Sequence, residues 1–545
     1  MKRKLVSMLL SVAMVAALMA GCGNSEQTTQ GGGDTQQDDG ADADAGDDAD
    51  AGDAADADAD DADDEDDEEM AEIVVGWMAF SPLDESKTDA VEEAINAITE
   101  AEINTHVDIQ WYAPDPYAKQ IPLMIQGNEK LDLIMYTPVP GAGFDSFKNQ
   151  GQLQDISTLL DEYAPDVKST LGELLDGTTI DGGVYGVPCY RDMGSAEYIT
   201  MRKDILDQLN LTEKAQNMKS WTEFEEILTE VVANTELAGI GNADAAGTVI
   251  STQPFFMGAD SFAENYGYDN LGDSYQMIYI DDATGKVGCY YFSEQYQQMM
   301  QRVRDWYNKG LVYKDSANNQ EIGDSMIKNN VFFSDAQMCE LGAEVSKKSA
   351  TGYDVVCTKV TDAMLTTGSC LKFGFAVPVT ATEPEAAVKF LNLLYTSEEV
   401  ENTMAWGVEG RDWVRKDDGT ADYPEGVTAE TVQYHTADFL NGNQFITIPW
   451  AGSEPDFREQ QKKSLTDAPV SKYMGFAFNQ AGFEQKITDC YNVGETYRKV
   501  LASGSVDYES TYAEFTAALE KAGINDIVAA YQEQVDAWLA AKGSN

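Results

Sequence analysis

Positive charge and histidine are scarce in this sequence: 36 Lys and Arg stand against 95 Asp and Glu, with two His, for a formal charge of −59 over 545 residues. A surface so acidic repels nucleic-acid phosphates and anionic headgroups, which excludes nucleic acid as a partner and points to neutral or cationic ligands. With His106 and His435 alone, a serine or cysteine nucleophile has little choice of base and a histidine zinc site has less. Neither histidine has a spaced partner, so both are expected on the surface or in strands. Phosphate-cradling glycine loops, G-x-S-x-G and H-E-x-x-H are all missing. After Cys22, the cysteines are Cys189, Cys289, Cys339, Cys357, Cys370 and Cys490, with no CxxC pair among them. That spacing offers neither a zinc site nor a redox couple and suggests small core residues, with a Cys357–Cys370 hairpin disulfide as one open pairing. No cofactor and no metal are expected.

No apolar run is long enough to span a bilayer comfortably. The longest opens the chain, from Leu5 to Ala20 behind Lys2, Arg3 and Lys4, and has the order of a cleaved secretion signal over residues 1–21. Its end, Leu18-Met19-Ala20-Gly21-Cys22, resembles the bacterial lipobox, which implies that the Cys22 thiol is lipidated. Two acyl chains at ~0.8 kcal/mol per buried methylene suffice for stable anchoring to the outer face of the cytoplasmic membrane. Between Gly23 and Glu69 there is no Lys, Arg or aromatic residue, but there are 21 Asp or Glu. Single-sign charge with so little apolar surface cannot offset chain entropy, so residues 22–70 are expected to form a disordered tether. At ~3.3 Å per residue it would reach on the order of 150 Å. The Asp spacing lacks the turn glycine and terminal bidentate Glu of a calcium loop.

Roughly 475 residues follow, enough for two or three domains, and they still carry 33 basic against 74 acidic side chains. Short apolar runs alternate with amphipathic ones. Residues 72–77 read as a strand, Val91, Ala94, Ile95 and Ile98 repeat at helical spacing, and 107–111, 121–126 and 132–136 read as strand, helix and strand. That alternation predicts a parallel sheet wound by right-handed crossovers, with ligands off the carboxyl ends of its strands. Trp77 and Tyr136 are thereby placed at the rim. Residues 180–192 combine turn glycines, Pro188 and an extended crossing; helices are expected at 221–228, capped by Ser220 or Thr222, and at 293–308 and 383–394. Near the end, Tyr531, Val535, Trp538 and Leu539 make an apolar stripe that reads as core.

The order of several fragments is then recognisable: 126–135 (Gln-Gly-Asn-Glu-Lys-Leu-Asp-Leu-Ile-Met), 151–156 (Gly-Gln-Leu-Gln-Asp-Ile) and 181–188 (Asp-Gly-Gly-Val-Tyr-Gly-Val-Pro). Behind a lipobox and an acidic linker, they resemble the family 1 extracellular solute-binding proteins, capture subunits of ABC importers, mostly for sugars and oligosaccharides. The tail from Gly475 to Trp538, with Lys-Ala-Gly-Ile-Asn at 521–525, is similar to a C-terminal domain of unknown function that marks one branch. The resemblance covers residues 71–542. It implies an α/β fold, a two-lobed type II clam shell of the periplasmic-binding-protein kind, with mostly parallel sheets, hinge crossings and C-terminal helices. Lobe 1 would combine 71–188 with 371–405, lobe 2 would take 189–370, and 406–545 would complete the lobes. Hinges are expected near 186–190 and 370–374, and the protein is expected to be a monomer that meets importer membrane subunits.

A sugar offers hydroxyls at its edge and C–H groups on its face, so its site needs aromatic planes beside fixed carboxylates, amides or guanidinium groups. Eight Trp, 26 Tyr and 20 Phe supply the planes. Candidates at strand ends and crossing loops are Trp77, Tyr136, Tyr190, Arg191, Asp192, Trp406, Glu409, Arg411, Trp413 and Trp450. Residues 407–413 (Gly-Val-Glu-Gly-Arg-Asp-Trp) have a composition suited to a functional loop on a rigid scaffold. A secreted glycoside hydrolase would share the acids and aromatics; a peptide-binding lipoprotein or a surface adhesin are the other readings.

Overall fold

The computed structural model describes residues 69–542 apart from 81, 82, 84, 195, 242–258, 265–268, 274, 320, 322, 340, 362 and 363. The signal segment, Cys22 and the acidic run to residue 68 lie outside the described residues.

In chain order the main elements are β1 (Ala71–Met78), α1 (Glu85–Ile103), β2 (Thr105–Tyr112), α2 (Pro114–Gln126), β3 (Leu133–Tyr136) and β4 (Val187–Pro188). Next come β5 (Ala196–Arg202), α3 (Trp221–Asn234), β6 (Ala238–Ile240), α4 (Glu294–Lys309), β7 (Phe332–Cys339) and β8 (Val355–Lys359). The chain ends with β9 (Gly374–Ala376), α5 (Pro384–Thr396), α6 (Glu398–Trp406), α7 (Phe457–Asp467), α8 (Glu484–Ala502), α9 (Tyr508–Ala522) and α10 (Ile524–Lys542). Two sheets result. The first has the order β2-β1-β3-β9-β4 and the second β8-β5-β7-β6. β1 runs parallel to β2 and β3, as the alternating pattern requires. β9 is antiparallel to β3 and β4 because it re-enters from the other lobe. In the second sheet β5 is antiparallel to β7 and β8, for the same reason of arrival from the opposite side.

Local chemistry fixes these elements. Asn96 on α1 brackets Val107 of β2, donating to its carbonyl at 3.0 Å and accepting its N–H at 2.7 Å. The fully buried Asp132 accepts N–H groups from Val74, Thr382 and Glu383 at 2.8–2.9 Å, which ties β1 to the positive end of α5. Ser220 and Ser293 cap α3 and α4 by accepting from Glu223 and Tyr296.

Two apolar cores follow the sheets. One gathers residues between Ile73 and Met193 and again between Leu365 and Met474. The other gathers Ile199 to Val360 and then Tyr473 to Val535, so α8, α9 and α10 pack on the second lobe. Tyr531 and Val535 of the C-terminal stripe are buried in it, Trp538 packs on its edge and Leu539 stays 36% exposed. The six described cysteines are free thiols. Cys357 lies in β8 of the second sheet while Cys370 belongs to the first core, so the hairpin pairing does not form.

Candidate functional site

Past the carboxyl end of β1 the chain turns outward at Phe80, whose side chain is 52% exposed. Its ring is 6.3 Å from Phe373, edge on, and 6.1 Å from Phe439; Phe373 and Phe439 are 5.6 Å apart. The Arg191 guanidinium carbon lies 5.5 Å from the Phe373 ring centroid. Only Phe80 of this group is open to solvent; Phe439 is half-buried, and Phe373 and Arg191 are buried beneath them, where both crossings leave the first sheet: Cys189 N–H donates to Phe373 O at 3.0 Å. Beside them Tyr190 meets Phe445 edge to face at 4.9 Å, and the Lys462 ammonium lies 5.9 Å from the Tyr190 ring.

The crossing is held rigidly. Tyr190 N–H donates to Gly442 O at 2.7 Å, and Gln444 N–H donates to Tyr190 O at 2.9 Å. Asp192 is wholly buried; its carboxylate accepts from Gly194 at 3.2 Å and from Leu341, in the loop after β7, at 3.3 Å, and its own N–H donates to Gln444 Oε1 at 3.2 Å. Burial raises the Asp192 carboxyl above the ordinary range, and these N–H donors work against that rise. Its oxygens thus brace the crossing itself and tie it to the second lobe.

The segment that carries Phe439 and Phe445 hangs on Glu401 of α6. This fully buried carboxyl accepts from Gly442 N–H at 3.1 Å and Asn443 N–H at 3.2 Å. Asn443 in turn donates to Tyr395 O at 3.0 Å and accepts from Phe445 N–H at 3.1 Å.

The 407–413 loop closes on itself. Asp412 Oδ2 accepts from Val408 N–H at 2.9 Å and from Arg411 at 2.9 and 2.6 Å, while Arg411 also reaches Lys87 O on α1 at 3.2 Å. Trp413 is buried, its indole donating to Gly407 O at 2.9 Å. Trp406 is buried too and donates to Ile448 O at 3.1 Å. Glu409 alone of this loop's candidates is exposed.

Trp450, half-buried, completes an aromatic cluster: its ring is 5.0 Å from Trp406, 4.8 Å from Tyr423 and 4.5 Å from His435. His435 is thus no ordinary surface residue. Burial lowers it to about 4, opposed by Asp438 and Asp412. The unfolded chain takes that proton at its ordinary ~6.5, so folding stability is expected to fall as pH drops from about 6.5 to about 4. Chemical denaturation across that window should show His435→Phe losing less stability than wild type, by roughly 2 kcal/mol once partial exposure is allowed for. Parallel curves would refute it.

Of the ten sequence candidates, the structure gathers Tyr190, Arg191 and Asp192 at the crossing, and Trp406, Trp413 and Trp450 in a separate small core. Trp77 and Tyr136 require correction. Trp77 is the penultimate residue of β1 and Tyr136 the last of β3, but Trp77 is 1% exposed, packed on Phe375 at 5.1 Å and Trp111 at 6.0 Å. Tyr136 is wholly buried against Phe144 at 5.3 Å and donates to Cys370 O at 3.0 Å. Helices cover both faces of the sheet, so the last strand residue still points into packing. Sequence reasoning missed Phe80, Phe373, Phe439 and Phe445. The strand-end rule applied three residues further along would have found Phe80; Phe439 and Phe445 sit in single-turn segments with no periodic signal.

The exposed Phe80 ring can cover a sugar C–H face, with Phe439 beside it and Phe373 and Arg191 packed behind. Among the described residues no group of three or more His, Cys, Asp or Glu is placed to hold a metal.

Comparison with known proteins bears on this geometry. A family profile described as bacterial extracellular solute-binding protein matches residues 84–401, more than half of the chain, and a domain of unknown function matches 472–540. A carbohydrate ABC transporter substrate-binding protein of Streptococcus pneumoniae is 20% identical over 468 residues, 84% of this chain and 90% of that protein. Among solved structures, the N-glycan transport solute binding protein of Streptococcus pneumoniae superposes with a TM-score of 0.73 at 18% identity, covering 87% of this chain and 100% of that one. A solute binding protein of Bifidobacterium longum infantis, described as binding HMO, gives 0.56 at 16% identity over 86% and 99%.

Proposed function

Because the chain belongs to the bacterial extracellular solute-binding proteins, a family that works outside the cytoplasm, we propose that it captures a sugar or oligosaccharide there and passes it unchanged to an ABC importer. The observation that carries this reading is the exposed Phe80 ring set beside Phe373, Phe439 and the Arg191 guanidinium at the mouth of the crossings. An exposed phenyl ring suits the C–H face of a sugar residue. The named ligands of the similar proteins, a carbohydrate and N-glycans, support the same class.

The contact residues are Phe80 and Phe439, backed by the buried Phe373, Tyr190 and Arg191; Glu409, and Trp450 of the separate aromatic cluster, are further candidates. Binding must favour the closed form selectively, so both lobes touch the solute. Asp192 holds the crossing in place for that contact. Cys22 carries the lipid that moors the protein to the membrane, and the acidic segment after it acts as the tether.

Calorimetry against a panel of neutral oligosaccharides, combined with melting curves and an assay for new reducing ends, tests the reading. One class of glycan should bind and stay intact, adding ~2.7 kcal/mol to stability at about 100 times its dissociation constant. New reducing ends would replace capture by hydrolysis, and binding only to peptides would replace the ligand class.

A further inference from the structure

The C-terminal domain, matched only as one of unknown function at 472–540, begins with four residues that divide between two cores. Tyr473 and Phe476 are buried in the core of the second lobe, whereas Met474, between them, is buried in that of the first. The sulfur of Met474 lies 3.9 Å from Cys370 Sγ. Gly475 has φ +88°, and a β-carbon there would stand 3.2 Å from the Asp176 carbonyl oxygen of the first lobe.

The same stretch runs beside the second crossing. Leu365 N–H donates to Pro469 O at 2.8 Å, Ser471 N–H to Leu365 O at 2.7 Å, and Gly475 N–H to Thr367 Oγ1 at 3.0 Å. Ser471 Oγ donates to Asp269 of the second lobe at 2.5 Å. Behind it Phe478 stacks on Tyr531 of α10 at 3.6 Å. Phe144, Asp145 and Gly177 from the first lobe, Leu271 and Gly272 from the second, and Phe476 and Tyr531 meet around a residual cavity of about 10 Å³, room for no more than one water. Burial above all, and then the charge of Asp273 across the seam, pushes Asp145 up to about 7.

We propose that the C-terminal domain is a hinge brace: it rides on the second lobe, pegs residues 473–476 into the seam with the first, and so sets the angle at which the lobes rest and the affinity for solute. Packed interfaces hold discrete positions rather than deforming smoothly, so a peg lost or a wedge added moves the resting angle. The affinity half rests on the capture reading above. The angle half does not.

The test measures the distance between spin labels at Asn149→Cys and Ala481→Cys, both exposed and on either side of the seam, in a Cys357→Ser background without glycan. Met474→Ala removes the peg, Gly475→Ala adds the wedge, and Met474→Leu keeps the volume. Both disruptive variants should shift or broaden the distance distribution and change the solute dissociation constant at least fivefold, while Met474→Leu matches wild type. Unchanged distances in both variants overturn the brace, whatever happens to Tm. Shifted distances with unchanged affinity overturn the link to solute. If no glycan binds any form, the capture reading fails while the distances still decide the brace.

Discussion

Phe80→Ala should weaken oligosaccharide binding ten- to a hundredfold and leave Tm almost untouched. The ring is 52% exposed and lies beyond the end of β1, so truncating it opens no cavity and removes little buried area. A bound sugar would cover that open face. Burying a phenyl side chain is worth ~1.5–3 kcal/mol, and each 1.4 kcal/mol is about tenfold in affinity. Phe80→Tyr keeps the plane and should stay within a few-fold of wild type. A dissociation constant for Phe80→Ala within twofold of wild type would show that the platform is not where solute binds.

Glu401→Ala should have the opposite profile in stability, with a loss of about 3 kcal/mol and a Tm lower by several degrees. The carboxyl is wholly buried and serves two N–H groups, at Gly442 and Asn443. Removing it strands both donors where water cannot reach, at ~1–3 kcal/mol each. The damage reaches the site, because Gly442 O holds Tyr190 N–H and Asn443 holds Phe445 N–H. Affinity should fall together with stability. Glu401→Gln restores one acceptor oxygen and should recover a substantial part of both losses. Denaturant curves that coincide for wild type and Glu401→Ala would show that the 441–445 segment is held by packing alone.

The two variants probe different things: one ring with no structural duty, and one buried acid with no reach to solute. That separation was not legible in the sequence. Tyr190, Arg191 and Asp192 were placed at the crossing because turn glycines and Pro188 mark a crossing whatever its surroundings. Trp77 and Tyr136 were misplaced because a strand end fixes a position along the chain, while the direction of the last side chain depends on what covers the sheet. Arg411 offered a guanidinium in a loop of functional composition, and the fold spends it on Asp412 and Lys87 O. Glu401, Phe439 and Phe445 gave no local signal, since their partners lie at the crossing and in α6, far away in the chain.

By itself the sequence determined the class of fold: alternating strand and helix periods specified a wound sheet, because those patterns follow from short-range geometry. Only tertiary structure decided which aromatics are surface and which are core, that a buried Asp192 ties the crossing to the loop at Leu341, and that Met474 and its neighbours feed opposite cores. Each of those outcomes depends on contacts between residues tens to hundreds of positions apart, where burial is set by the whole packed assembly and no period in the chain records it.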